Sequence, residues 1–340
     1  MNTRFEFVVI GDDESHLRGA TEEAIAEIES CEDRLSLFRP GSLLSRINRR
    51  ASMEPVGVDR ETFELLAAAK RLSAMTEGAF DPTVAPLMKV WNLHDSASSA
   101  ADAPSLEAAR QCVGVHLVEL DPDRLTVRFT KDGVSLDLGG IAKGHALGLA
   151  EGVLRRAAVD AALIHAGASS VTAIGAPPGT DGWKIGLAGM PRDDESESSD
   201  GSRQESEPHG ANPQGAASFT DGPGAFVCPP RRLAPLGSDG ADHSIVFLKD
   251  QSLSVSAPHG RETTVDGQRV THILDPRTGR PAPAVRIAAA IADDPTVAEA
   301  ISTALIVLGR RPRHLPLAYV TILPADSQAY PFCTEPFNAV

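Results

Sequence analysis

The chain has 340 residues, 42% apolar and 23% charged, the make-up of a soluble globular protein with enough length for a substantial core or two packed lobes. Its 32 basic and 46 acidic side chains give a formal net charge of −14, which argues against broad nucleic-acid binding, because phosphate attraction needs a basic face. A nucleotide held by a few local groups stays possible. Aromatic residues are only 4%, so the core must rest on Leu, Val, Ile and Ala.

Residues 4–10 read as a strand. The opening MNTRFEFVVIG carries charges at Arg4 and Glu6 and lacks the apolar stretch of a signal peptide. No apolar run reaches the ~18 residues of a membrane span. A cytoplasmic protein is the default expectation. Residues 20–35 place Ala24, Ile25, Ile28 and Cys31 at helical spacing, LSLFRPGSLLSRIN reads as a turn and a short helix, and 60–76 as a further helix. The two prolines of 77–92 predict a loop with a short helix. VSLDLGGIAKGHALGLAEGVLRRA changes period in its middle, from a strand (VSLDL) through a two-glycine turn to a helix. Residues 160–175 and 183–187 read as two strands.

Residues 190–243 are rich in Ser, Asp, Glu, Gly and Pro and are expected to form a disordered surface insertion, since they cannot bury enough surface to offset their ordering entropy. SIVFLKDQSLSVSA reads as a strand pair, VRIAAAIA as a strand and PTVAEAISTALIVLG as a helix. The tail from 324 is weakly patterned. Helices and strands mixed in this way indicate an α/β or α+β protein. Cys31, Cys112, Cys228 and Cys333 form no CxxC pair and read as reduced structural thiols.

Four stretches carry chemistry. In LDLGGIAKG (136–144) a glycine turn opens a helix, which aims free backbone N–H groups at one point, and Lys143 adds a charge. The other reading is a tight connection only. In PTVAEAISTAL, Glu299 and Thr303 lie four apart on one helix face and suit a hard cation such as Mg²⁺. Alternatively Glu299 lies on a polar face and Thr303 bonds back to its helix. In THILDPRTG, His272 is a possible proton acceptor within what could equally be a structural turn. In EGAFDPT, Asp81 either caps a short helix or accepts bonds from a ligand.

In this order the blocks LSLFRPGSLLSRIN, GAFDPTVAPLMKVWN, LDLGGIAKG, THILDPRTGRP and AEAISTALIVLG, with Met1 and Thr3 ahead of the first strand, resemble the FAD:protein FMN transferases, the ApbE-like flavin transferase family. The resemblance implies one domain over 1–340 with an α+β fold of two related lobes and the flavin between them. It implies Mg²⁺-dependent transfer of the FMN half of FAD to a Thr or Ser hydroxyl of a target flavoprotein, with release of AMP. Some members also hydrolyse FAD to FMN and AMP. Carried over residue by residue, the metal falls to Gly140, Glu299 and Thr303. FAD falls to Met1, Ser36, Leu37, Phe38, Asp81, Lys143, His272 and Ile273. His272 is the candidate base by its chemistry, with Asp275 and Arg277 orienting its loop.

Three stretches depart from the family pattern. Glu299 stands where Asp is usual. HAGASSV has Ala168 and Ser169 in place of Gly and an acid or amide, and VSAPHG has Ala257 in place of Gly. The alternative these departures raise is a protein of the same fold that binds or hydrolyses FAD without efficient transfer.

Overall fold

The structure is a computed structural model that describes residues 3–93, 102–187, 225–227, 244–257, 262–265, 268–282, 285–312 and 319–324. In chain order the elements are β1 (Phe5–Ile10), α1 (Glu14–Leu35), α2 (Leu43–Arg50), β2 (Val56–Gly57), α3 (Arg60–Met75), α4 (Ala85–Val90), α5 (Ala103–Arg110), β3 (Val118–Asp121), β4 (Thr126–Phe129), α6 (Ala142–Arg156), β5 (Ala161–Ala166), β6 (Ser170–Ile174), β7 (Trp183–Leu187) and β8 (Ala225–Val227). They continue with β9 (Ser244–Leu248), β10 (Ser252–Ser256), β11 (Glu262–Val265), β12 (Gln268–Thr271), β13 (Leu274–Asp275), β14 (Arg280–Pro281), β15 (Val285–Ala292), α7 (Pro295–Leu308) and β16 (Tyr319–Pro324). The fold is α+β. Its central sheet has the order β16-β15-β10-β6-β5-β1-β8, and every paired neighbour is antiparallel.

Strand alternation sorts the core onto two faces. Ala162, Ile164 and Ala166 of β5, with Ala288, Ala290 and Ala292 of β15, join the cluster built from α1, α3, α6 and α7. Their sequence neighbours Ala161, Leu163, Ala289 and Ile291 pack on the other face against Trp183 and Leu248 of the β7–β9 ribbon. Both faces are therefore covered, which is why 161–164 of β5 and 287–292 of β15 are unbroken apolar runs rather than alternating ones. The alanines of β15 on the helix face leave room for α7, which is apolar almost all round and nearly wholly buried.

Most helix starts follow local capping. Asp13, Ser42, Asp59, Asp102 and Asp294 each accept a backbone N–H from the first turn of the helix that follows. The Asp13 cap explains why α1 begins at Glu14, earlier than the periodicity from residue 20 predicts. Gly309, with φ +62°, closes α7 in the left-handed conformation.

Three expectations need correction. VSLDL is extended, and Val134, Leu136 and Leu138 are buried in alternation, yet it pairs with no strand. Its backbone groups are taken instead by the Asn48 side chain, which bonds both the N–H and the carbonyl of Leu136 (2.8 and 2.9 Å), and by the Pro82 carbonyl, which accepts from Asp137 N–H (2.7 Å). Residues 160–175 are not one strand but the β5–β6 hairpin, turned at Gly167, where φ is +64°. The expected strand pair in 244–257 is two strands of different sheets: β9 pairs with β7, and β10 lies between β6 and β15. Of the stretch 190–243, Ala225–Val227 forms an edge strand on β1, and nearly all the remainder lies outside the described residues. Cys31 is buried, and burial pushes its thiol up to about 12. Cys228 and Cys333 lie outside the described residues. Among the described residues no helix is long and apolar enough to cross a membrane.

The crossing of α6 and α7 is the tightest approach near the site. A Cβ on Gly144 would lie 2.2 Å from the Pro295 carbonyl oxygen, and one on Gly148 3.4 Å from the Pro295 ring. Gly144→Ala must push the helices apart and is expected to cost about 2–3 kcal/mol. Gly19, exposed in mid-α1 with nothing within 4 Å of its would-be Cβ, is the matched control. Gly19→Ala should stabilise by about 0.5–1 kcal/mol. Denaturant midpoints of the two variants check both signs.

Candidate functional site

The N-terminus of α6 has no side-chain cap of its own. Ala142 N–H donates to the Leu138 carbonyl (2.8 Å), and the Gly144 N–H of the same turn is taken by a carboxylate that α7 supplies from outside the helix. Glu299 is 2% exposed. One of its oxygens accepts the Gly144 backbone N–H at 2.5 Å, and the other is paired with the Lys143 ammonium. The reading of Glu299 as a residue of a polar helix face therefore fails. A carboxylate this deep needs both partners, and the helix dipole adds to them.

Thr303 follows one turn later and donates its hydroxyl to the Glu299 carbonyl at 3.1 Å. The bond back to its own helix is present, and it leaves the lone pairs of the hydroxyl oxygen for another contact. A Cβ on Gly140 would stand 3.5 Å from Thr303 Oγ1 and 3.5 Å from the Phe80 ring. Gly140, Lys143, Glu299 and Thr303, spread over 164 residues of sequence, thus form one cluster. Among the described residues there is no group of three or more His, Cys, Asp or Glu that could hold a metal. The cluster instead offers one carboxylate, one hydroxyl and a glycine-turn backbone, all hard oxygen donors, which fits a magnesium-type ion held with few protein ligands.

A ladder of buried hydroxyls fixes α7 behind this cluster. Ser302, wholly buried, donates to the Glu299 carbonyl (3.0 Å) and meets Ser254 (3.1 Å) and Ser256 (2.8 Å) of β10. Ser254 in turn meets Ser170 of β6 at 3.3 Å. Sequence reasoning missed this ladder, as it missed Gly144 and Asn48. The one available signal was the alternation of Ser252, Ser254 and Ser256, which marks one face of a strand but does not say what covers it.

Asp81 is buried and accepts from Thr83 N–H (2.8 Å), Thr83 Oγ1 (2.5 Å), Val115 N–H (3.1 Å) and Ser73 Oγ (3.3 Å). Those four bonds tie α3, the 81–83 turn and the 113–115 segment together. The cap reading of Asp81 fails, since α4 begins at Ala85 without a side-chain cap, and the residue serves as a hub between segments. The THILDPRTGRP stretch packs on the same loop. Trp91 Nε1 donates to the Gly279 carbonyl (2.8 Å), and the Arg277 stem lies over Gly78. Asp275 holds Arg277 by its backbone N–H, Nε and Nη2, each at 2.9 Å, so this pair shapes the β13–β14 turn. His272 is half-buried just before that turn, and Ile273 is buried, with its carbonyl accepting from Ala282 N–H.

The Ser36 and Leu37 carbonyls accept from the Ser42 and Ser45 hydroxyls (2.6 and 3.3 Å), which fixes the loop that presents Phe38, 73% exposed. Met1 lies outside the described residues. Ala168 is exposed in the β5–β6 turn, and Ala257 is half-buried at the end of β10. A cleft of about 340 Å³ opens between Ser73, Gly78, Asp81, Val115, His116 and Arg277. Lys143, Glu299 and Thr303 do not line it. Behind the first turn of α6, His145 lies 3.3 Å from Glu61, which also pairs with Arg34. Burial holds His145 below the usual imidazole range, although Glu61 pulls it upward.

The sequence model of the ApbE family matches residues 1–206 and 229–316. The chain is 28% identical over 267 residues to a Klebsiella pneumoniae (strain 342) protein named FAD:protein FMN transferase, covering 78% of this chain and 68% of that one. It is 30% identical over 310 residues to a Treponema pallidum (strain Nichols) protein of the same name, covering 87% and 73%. The crystal structure of the ApbE protein of Thermotoga maritima superposes with a TM-score of 0.68 at 29% identity, over 89% of this chain and 82% of that one. Family match, relatives and fold agree with one another, and the chain belongs to the ApbE family.

Proposed function

We propose that this protein is an Mg²⁺-dependent FAD:protein FMN transferase, which moves the FMN moiety of FAD to a Thr or Ser hydroxyl of a target flavoprotein and releases AMP. The observation that carries this reading is the meeting of Gly140, Lys143, Glu299 and Thr303 at the start of α6. A pyrophosphate needs its charge balanced along its length, and a helix N-terminus, a lysine and an oxygen-lined cation site are suited to it. Relatives of the same name support the flavin as the substrate.

The Gly140 carbonyl, the Glu299 carboxylate and the Thr303 hydroxyl would hold Mg²⁺, which supplies neutralisation of charge on the pyrophosphate when bound. Lys143 binds a phosphate oxygen as a point charge. Met1, the Ser36–Phe38 loop, Lys143, His272 and Ile273 form the FAD contacts, and Asp81 contributes by fixing the loop beneath them. In the reaction the acceptor hydroxyl oxygen forms a bond to the FMN phosphorus. The bond from that phosphorus to the bridging oxygen breaks, and AMP leaves with that oxygen. His272 takes the proton of the attacking hydroxyl.

Incubation with FAD, Mg²⁺ and a peptide carrying a Thr or Ser acceptor tests the whole reading. Covalent flavin on the peptide with equimolar AMP is the expected result. Free FMN with AMP and no labelled peptide would replace transfer by hydrolysis, and unchanged FAD would remove the enzyme reading.

His272→Ala should slow transfer at saturating FAD by ~10²–10⁴-fold, as loss of a general base does, with any loss of FAD affinity read separately by titration. An unchanged rate in single-turnover assays would assign the base elsewhere. Glu299→Asp is expected to lower Mg²⁺ affinity and rate, because a side chain one methylene shorter cannot reach the Gly144 N–H from the same α7 backbone. Glu299→Ala should abolish metal-dependent FAD binding. Calorimetry with and without chelator reads both.

A further inference from the structure

We propose that Lys143 is an exchangeable internal cation, which holds the Glu299 carboxylate in the ligand-free protein and is drawn off it when a divalent cation and a phosphate group bind. The inference rests on the reading of Glu299 as a metal ligand and adds to that reading a competitor built into the chain.

Glu299 contributes −1 and Lys143 +1, so the paired site is formally neutral. Among the described residues no cluster of three or more acidic, His or Cys side chains supplements it. A divalent ion entering beside an intact pair would meet an ammonium at contact distance from the buried Glu299 carboxylate. A divalent cation and an ammonium a few Å apart in a part-buried place repel strongly. Tight binding therefore requires Lys143 to leave.

The two partners are placed for this exchange. The Glu299 side chain is 3% exposed and the Lys143 side chain 23%, so the lysine has a path to solvent and the carboxylate does not. When Lys143 leaves, the Gly144 N–H still holds the other oxygen of Glu299, so the carboxylate stays in place. The lysine stem has four rotatable carbons and swings without backbone movement, and it starts from the first turn of α6, where a phosphate would sit. The extra methylene of Glu over Asp lets α7 reach both Gly144 N–H and Lys143 at once. The departure at 299 is thus what makes the pair.

Each ligand favours the same state, Lys143 off Glu299. Divalent cation and phosphate binding are then positively coupled through one side chain, and the coupling is reciprocal. The lysine also prevents an uncompensated buried carboxylate when both ligands are away.

The test uses the full chain, stripped with chelator and free of nucleotide. Calorimetric titration with MgCl₂ compares the parent with Lys143→Met, which keeps the apolar stem. Lys143→Met is expected to bind Mg²⁺ at least about tenfold more tightly, and to gain more in Tm on Mg²⁺ addition than the parent does. Equal affinities would overturn the exchange while leaving the metal reading intact. Binding by neither protein, or by Glu299→Gln as well as by the parent, would overturn both. A second measurement needs no variant: amine labelling of the parent, read by mass spectrometry at Lys143. Mg²⁺ alone should raise that labelling several-fold, and unchanged labelling at saturating Mg²⁺ would overturn the proposal.

Discussion

The structure turns on one buried carboxylate. Glu299 would cost several kcal/mol as an unpaired charge in the interior, and its burial is possible only because the first turn of α6 presents a free N–H and a lysine to it. That turn is free because no side chain before it caps the helix. The contact in turn depends on Gly144, where any side chain would strike the Pro295 backbone. Helix start, helix crossing and candidate site are therefore a single arrangement.

The arrangement is held from behind. A carboxylate positioned by a rotating helix would wander, but α7 is fixed about its axis by Ser302, whose hydroxyl engages both Ser254 and Ser256 on β10. The alanine face of β15 lets α7 lie close to the sheet, and the apolar residues around the rest of the helix leave it no solvent face to slide along. Buried hydroxyls of this kind add little net stability when satisfied, but they penalise every register in which they are not. They fix the rotation of α7 more than they strengthen its contact with the sheet.

The other side of the cluster is built around Asp81. Its four hydrogen bonds join α3, the 81–83 turn and the 113–115 segment. The same loop meets the glycine turn through Pro82 and Asp137, and the THILDPRTGRP hairpin through Gly78 and Trp91. The most motif-like blocks of the sequence are thus packed against one another. The Asp275–Arg277 pair shows what the charge in that hairpin does: it closes the turn that follows His272.

The sequence by itself determined the local features. The caps, the glycine turn, the helical stripe of α3 and the β15 strand are set by residues within a few positions of each other; the glycine turn, α3 and β15 lie where the residue pattern places them. Because its blocks are contiguous, family membership was also legible. Only the tertiary structure decided the rest. Val134–Leu138 has the alternation of a strand, but its partner is Asn48, a side chain 88 residues away in sequence. β9 and β10 are neighbours in sequence but belong to different sheets, because each finds its partner across the fold. Glu299 at helical spacing fits a surface residue as well as a buried one. What distinguishes them is a lysine and a backbone N–H more than 150 residues away, and a local pattern carries no information about such distant partners.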